Sequence, residues 1–236
     1  MTDARAFRGC RFPAEVILWA VRWYLQFPVS YRDLEAMLAD RGVAVDHTTM
    51  YRWVQRFAPE LEKRLRRHLR PCRGLWHVDE TYIRVDGQWR YLYRAVDGMG
   101  QTIDFLLSAK RDKKAAKRFF RKALGRQNTC NPRTVVTDRL KSHPGALREM
   151  KRDGELWRFT RHRRGRWRNN RVEQDHRRVK RLTGPMLGFE SFVTARRTLA
   201  GVEAMAMLAK GQVRAVPAND MSARRTFVHQ VFGLAA

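Results

Sequence analysis

The chain has 236 residues, with 49 Lys plus Arg against 23 Asp plus Glu and a formal charge of +26 at pH 7. That length allows one sizeable domain and a smaller one, and a composition 44% hydrophobic and 11% aromatic is too apolar for a disordered basic tail. A surface this positive repels itself unless a polyanion lies against it, so nucleic acid ranks ahead of an anionic membrane as the expected partner. No run approaches the ~20 apolar residues of a membrane span. The first residues, Met1 to Arg5, lack the apolar stretch of a secretory leader. Cys10, Cys72 and Cys130 are odd in number and far apart, with no C-x-x-C spacing. The expectation is a cytoplasmic protein without disulfides or a zinc site, each Cys serving as a small buried residue.

The first 70 residues read as helical. Pro13 suits a helix N-terminus, and Ile17, Val21, Tyr24 and Leu25 recur at helical spacing. Ser30 followed by Asp33 predicts an N-cap with an acid in the first turn. That helix carries Leu34, Met37 and Leu38 inward and stops at Gly42. Asp46 caps the next, whose Met50, Val54 and Phe57 form a stripe before Pro59 ends it. Two short helices around a Gly-containing turn are a helix-turn-helix candidate. In that reading His47, Thr48, Thr49 and Arg52 reach base edges or phosphates. Two packed helices of any all-α domain would show the same pattern, so the motif alone leaves both readings open. A basic helix, Glu62 to Arg67, leads to a domain boundary at Pro71.

From Leu75 the pattern changes to strands. Leu75–Val85 and Gln88–Asp97 are rich in Val, Ile, Tyr and Trp, and Asp86-Gly87 between them is a hairpin signal. Gln101–Ser108 predicts a third strand, and Lys113–Leu124 a helix with Ala115, Ala116, Phe119, Phe120 and Ala123 on its apolar face. Thr134–Thr137 is a short buried strand ending at Asp138. A short helix after Pro144, a strand near Leu156–Thr160, a helix from Asn170 to Arg181 and a long helix over Phe189–Lys210 complete an α/β order.

Three carboxylates stand out. Asp79 lies in the middle of an apolar strand, where a buried acid without a partner is costly. Asp138 ends a buried strand, at the edge where open α/β sheets place ligands. Glu173 opens a helix that follows an intensely basic segment. Acids on separate elements surrounded by Arg suit divalent metal and a phosphodiester. Structural roles are also available: Asp138 could cap a turn, and Glu173 sits at capping-box spacing from Asn170.

Residues 161–171 hold six Arg and no acid. A run of one sign without counter-charge points to a polyanion, so Arg163, Arg164, Arg166 and Arg168 are candidate DNA contacts, and Trp167 among them could stack on a base. Lys180 follows Glu173 by nearly two helical turns and shares its face.

Several segments together resemble the DDE transposases of bacterial insertion sequences, and closely the insertion sequence six family. They are Ile17–Tyr24, Ser30–Leu38, Asp46–Arg56, Trp76-His77-Val78-Asp79-Glu80-Thr81-Tyr82, Tyr91–Asp97 and Arg168–His176, within about residues 8–212. The resemblance implies a ribonuclease H-like core with Asp79, Asp138 and Glu173 as the catalytic, metal-binding triad. The 34 residues between the last two match the family's spacing, and Lys180 matches its basic residue. Two Mg²⁺ ions, replaceable by Mn²⁺, are implied as cofactors. DNA is the implied partner, both as inverted-repeat ends and as target. A homo-oligomer, a dimer or larger synaptic complex, is implied as well, with no membrane and a bacterial cytoplasmic location, nucleoid-associated when bound. The loop after the second Asp departs from the family's Lys-Ala-Pro-Ala-Tyr-Gly pattern and reads Arg139-Leu140-Lys141-Ser142-His143-Pro144.

The expected architecture is α/β. A helix-turn-helix domain over 1–70 precedes a ribonuclease H-like catalytic domain over 71–212 that includes the long C-terminal helix, and 213–236 is a tail. The expected function is metal-dependent 3′-end cleavage and strand transfer. A non-catalytic repressor of the element, or another nuclease of the same fold, is the alternative.

Overall fold

The computed structural model describes residues 4–126, 128–138, 142–165 and 170–234. Along the chain run α1 (Ala14–Gln26), α2 (Tyr31–Ala39), α3 (His47–Leu65), β1 (Leu75–Val85), β2 (Gln88–Asp97), β3 (Thr102–Ser108) and α4 (Lys113–Leu124). Then come β4 (Thr134–Thr137), α5 (Ser142–Arg152), β5 (Arg161–Arg164), α6 (Asn170–Thr183), α7 (Phe192–Ala209) and α8 (Met221–Val231). The chain divides into two compact units. One combines the residues through Leu69 with those from Arg181 on, and the other is Arg70–Lys180.

The first unit is all-helical. Pro13 stands at the N-cap of α1, where a missing N–H costs nothing. Ser30 and Asp33 close a reciprocal capping box on α2, and Asp46 accepts from the Thr48 and Thr49 N–H groups to start α3. The expectation that Pro59 ends α3 is corrected, because the helix continues to Leu65. An interior Pro costs about 3 kcal/mol. Burial of Leu61 and Leu65 beyond it, at roughly 1.5–3 kcal/mol each, is enough to offset that.

The division at residue 212 is corrected too. α7 lies in the helical unit, where Val202, Met205 and Leu208 are buried among Leu25, Val54, Phe57 and Ala58. α7 is apolar on nearly every side, the pattern of a helix enclosed by others. Gly201 lets it approach so closely that a Cβ there would lie 2.5 Å from Leu25 Cδ1 and 2.6 Å from Ala58 Cβ. Residues beyond 212 are no mere tail, for α8 adds Phe227 and Val228 to the same core.

The second unit is a five-stranded sheet in the order β3-β2-β1-β4-β5. β2 runs antiparallel to its neighbours β1 and β3, while β1, β4 and β5 run parallel. This is the ribonuclease H-like arrangement. Asp86 and Gly87, at φ 50° and 66°, make the left-handed two-residue turn that a twisted hairpin demands. The apolar faces of α4 and α5 bury Phe119, Phe120, Leu147 and Met150 against Trp76, Val78 and Tyr93 of the sheet.

Two local expectations fail here. α5 starts before Pro144, at Ser142. The strand expected near 156–160 lies instead at Arg161–Arg164, where Thr134 pairs with Arg161 and Thr137 with Arg164. Leu156 and Thr160 are buried, so their side chains read like a strand, but β4 offers its free edge only to the residues that follow. An edge strand tolerates four basic residues because one flank is open to water. Of the three cysteines only Cys72 is buried, and Cys130 is exposed.

Candidate active site

Two acids occupy the middle of β1. Side chains alternate across a strand, so Asp79 and Glu80 face opposite sides of the sheet. Asp79 looks toward α6, where His176 Nδ1 lies 3.9 Å from its Oδ2. Glu80 looks toward α5 and the residues leading into α4, with His143 Nε2 at 3.4 Å and Arg111 Nη2 at 3.6 Å.

Asp138 is positioned by register. β1 and β4 run parallel with Val78 opposite Thr137, and one further step sets Asp138 beside Asp79, across an interstrand spacing of ~4.8 Å. Arg111 Nη2 is 3.9 Å from Asp138 Oδ2. Glu173 lies in the first turn of α6 and is exposed. That helix is pinned to the sheet by a buried ion pair, Arg94 Nη2 to Asp175 Oδ2 at 2.6 Å. Arg94 is the β2 residue directly opposite Asp79.

The electrostatics record the convergence. Burial pushes the Asp79 carboxyl up to about 7, and the charges of Asp138 and Glu173 push the same way against a backbone hydrogen bond and Arg111. Glu80 is raised to about 8, again chiefly by burial, with Arg111 opposing. Burial lowers His143 to about 3, and His176 to about 3 with help from Arg94. At neutral pH, Glu80 therefore carries a proton beside a neutral His143, and the pair adds no net charge. Asp79, Asp138 and Glu173 are hard oxygen donors whose mutual repulsion a divalent cation would relieve, so the donor set fits such a metal. Glu80, Asp138 and His143 also offer ligand atoms within 4.8 Å of one another, but there the Arg111 guanidinium already supplies the positive charge.

The expected DNA contacts fare unevenly. Thr48 and Thr49 turn their hydroxyls back onto the Asp46 carboxylate, reinforcing the cap instead of presenting them outward. His47 Nδ1 lies 3.0 Å from Glu35 Oε2. Arg52 is exposed on α3, Arg163 and Arg164 are exposed on β5, and Lys180 is exposed on α6. Arg166, Trp167 and Arg168 lie outside the described residues, as do residues 139–141 of the loop after Asp138 and the side chain of Asn170. Sequence reasoning assigned no role to Glu80, Arg111, His143 or His176. The adjacent acids at the centre of β1 and the three-residue step from Glu173 to His176 were signals for two of them. Arg111 and His143 carry none, because only the fold brings them to β1.

A ribonuclease H-like sheet with acids gathered along β1, β4 and α6 defines the DDE class of enzymes that cut and join DNA strands. Comparison with known proteins agrees. The DDE_Tnp_IS240 family model, a DDE domain, matches residues 73–212. The transposase for insertion sequence-like element IS431mec of Staphylococcus aureus is 37% identical over 211 residues, covering 89% of this chain and 91% of that protein. The transposase for insertion sequence element IS257 in transposon Tn4003, also of Staphylococcus aureus, matches to the same extent. Among solved structures, the catalytic core domain of HTLV-2 integrase (trimeric form, in complex with magnesium) is similar at 16% identity and a TM-score of 0.45, covering 67% of this chain and 97% of that one. The chain belongs to the insertion sequence six family of DDE transposases. It is a DNA-cleaving and strand-transferring enzyme that uses divalent metal, and no helix among its described residues is long and apolar enough to cross a membrane.

Proposed function

We propose that Asp79, Asp138 and Glu173 hold two Mg²⁺ ions, replaceable by Mn²⁺, and that the helical unit recognises the element's terminal inverted repeats. When bound, the metal supplies Lewis-acid stabilisation of the transferring phosphoryl group and acidifies the attacking oxygen. The observation that carries this reading is the parallel register that sets Asp138 beside Asp79, with Glu173 near enough for its charge to act on the Asp79 carboxyl. Water attacks first and leaves a 3′-hydroxyl, and that hydroxyl then attacks target DNA in line, each step exchanging one phosphodiester oxygen for another.

The chain's own side chains position these reactants. His176, neutral at working pH, packs against Asp79 without cancelling its charge, and Arg94 with Asp175 fixes the helix that carries Glu173. Lys180, two turns along, meets the DNA backbone. Arg52, Arg163 and Arg164 add phosphate or base contacts, joined by Arg166, Trp167 and Arg168. At the start of α3 the Asp46 carboxylate already holds the N–H and hydroxyl groups of Thr48 and Thr49, so these two act by setting the helix that presents Arg52, with His47 beside them. Pairing two element ends calls for a homo-oligomer, and the work takes place at the bacterial nucleoid.

Glu173→Gln tests the reading, since Gln keeps a capping role but loses the charge that holds a cation. Cleavage and joining of end-containing DNA should fall by two or more orders of magnitude, with end binding in Ca²⁺ unchanged. EDTA should abolish both reactions in the wild type. Joining at near wild-type rate by Glu173→Gln would return that residue to a structural role.

A further inference from the structure

Next to the acids, on the Glu80 side of the sheet, the β1–β2 hairpin carries an aromatic surface that the cleavage chemistry leaves without a task. Alternation puts Tyr82 and Arg84 on the same face as Glu80. The register sets Tyr91 opposite Tyr82, and Trp89 opposite Arg84. The Tyr82 ring lies 5.4 Å from Tyr91 and 6.4 Å from Trp89, tilted at 54° and 82°. Trp89 is 65% exposed and Tyr82 44%. Burial therefore does not account for Tyr82 and Trp89, which stand in water beside the sheet, whereas Tyr91 is half-buried against the core and backs them.

Arg111 ties this surface to the acids. Its Nη1 donates to Tyr82 Oη at 3.1 Å, and its guanidinium carbon sits 5.9 Å from the Tyr82 ring centre. Its Nη2 reaches Glu80 at 3.6 Å and Asp138 at 3.9 Å. The Tyr82 ring is thus within about three base-stacking steps of Asp138, at ~3.4 Å per step. Arg84 shares the face of the rings, and no acid shares the hairpin tip except Asp86 in the turn. Aromatic faces bordered by guanidinium groups are the chemistry that binds single-stranded nucleic acid, since every base offers a π-face and every phosphate an anion. A protein partner would also accept Tyr, Trp and Arg, but the local charge favours a polyanion.

We propose that Tyr82, Trp89 and Tyr91 form a stacking platform for an unpaired nucleobase next to the scissile phosphate, with Arg111 holding the phosphate between platform and acids. This rests on the strand-cleavage reading and adds that the DNA end is opened, not cut as an intact duplex. The platform is tolerant of base identity because stacking reads no hydrogen-bonding edge.

The test uses the full-length protein, end-containing DNA and single-turnover cleavage in Mg²⁺. Two substrates are compared, one fully paired and one with mismatches at the nucleotides flanking the cut. Trp89→Ala should slow cleavage of the paired end by about 5- to 150-fold, the range that loss of one base–aromatic stack gives. The mismatched end should recover most of that loss, and Trp89→Phe should stay close to wild type on both. In Ca²⁺, permanganate should attack thymines beside the cut with the wild type and not with Trp89→Ala. Equal rates for Trp89→Ala and wild type on the paired end would overturn the platform while leaving the cleavage reading intact. A loss on both substrates together with a smaller oligomer in solution would overturn it in favour of a contact between copies. Failure of the wild type to cleave in any divalent metal would strike the underlying reading instead.

Discussion

Replacing Asp79 by Asn should stabilise the protein in the absence of metal while abolishing activity. The folded carboxyl titrates near 7 against an ordinary value of 3.8. At about 1.4 kcal/mol per pKa unit, the ionised side chain costs the fold up to ~4 kcal/mol. Below pH ~4 the carboxyl is protonated in both states, and the cost is absent. Between pH ~4 and 7 the folded state retains a proton that the unfolded state has released, so stability falls as pH rises. Above 7 both states are ionised, and the full cost remains. Thermal unfolding in EDTA should therefore show Asp79→Asn melting above wild type at pH 8, by on the order of 10 °C, with the difference vanishing near pH 4. Saturating Mg²⁺ or Mn²⁺ should raise the wild type, by ~2.7 kcal/mol at a hundred times Kd, and leave the variant nearly unmoved. A variant no more stable than wild type at pH 8, or equally more stable at pH 4 and 8, would refute the idea that burial, with the neighbouring acids adding to it, makes the ionised Asp79 costly to the fold.

Other positions test the scaffold. Asp175→Ala leaves Arg94, which is fully buried, short of its carboxylate, and chemical denaturation should show a loss of ~3–5 kcal/mol. Gly201→Ala forces a methyl against Leu25 and Ala58, and the same measurement should find it ~1–3 kcal/mol less stable, with the loss confined to the helical unit. A fragment of residues 1–69 should show little cooperative melting by circular dichroism, because it lacks α7 and α8. Joining it through a short linker to residues 181–236 should restore a folded unit, and a cooperative melt of 1–69 alone would contradict the two-segment core.

The residues that spell out local structure were legible in the sequence. The capping box at Ser30 and Asp33, the Asp86-Gly87 turn, both long hairpin strands and α4 follow from short-range chemistry, which neighbouring residues decide among themselves. Asp79 also stood out by itself, since an acid amid Trp76, Val78 and Ile83 has no local reason to be there. Pro59 misled because a helix breaker acts locally, whereas the burial that overrides it comes from α7, more than 130 residues on. β5 was misplaced for a related reason, as Arg161–Arg164 has no strand propensity and is a strand only because β4 leaves an edge to pair with. Arg111 and His143 could be connected to Glu80 only through the fold, for no sequence spacing relates β1, the start of α4 and α5. Local propensity and alternation therefore determined most of the elements and the first acid, while the division into units and the surroundings of that acid were decided by tertiary contacts. Those contacts depend on which surfaces meet, and the meeting is a property of the whole chain.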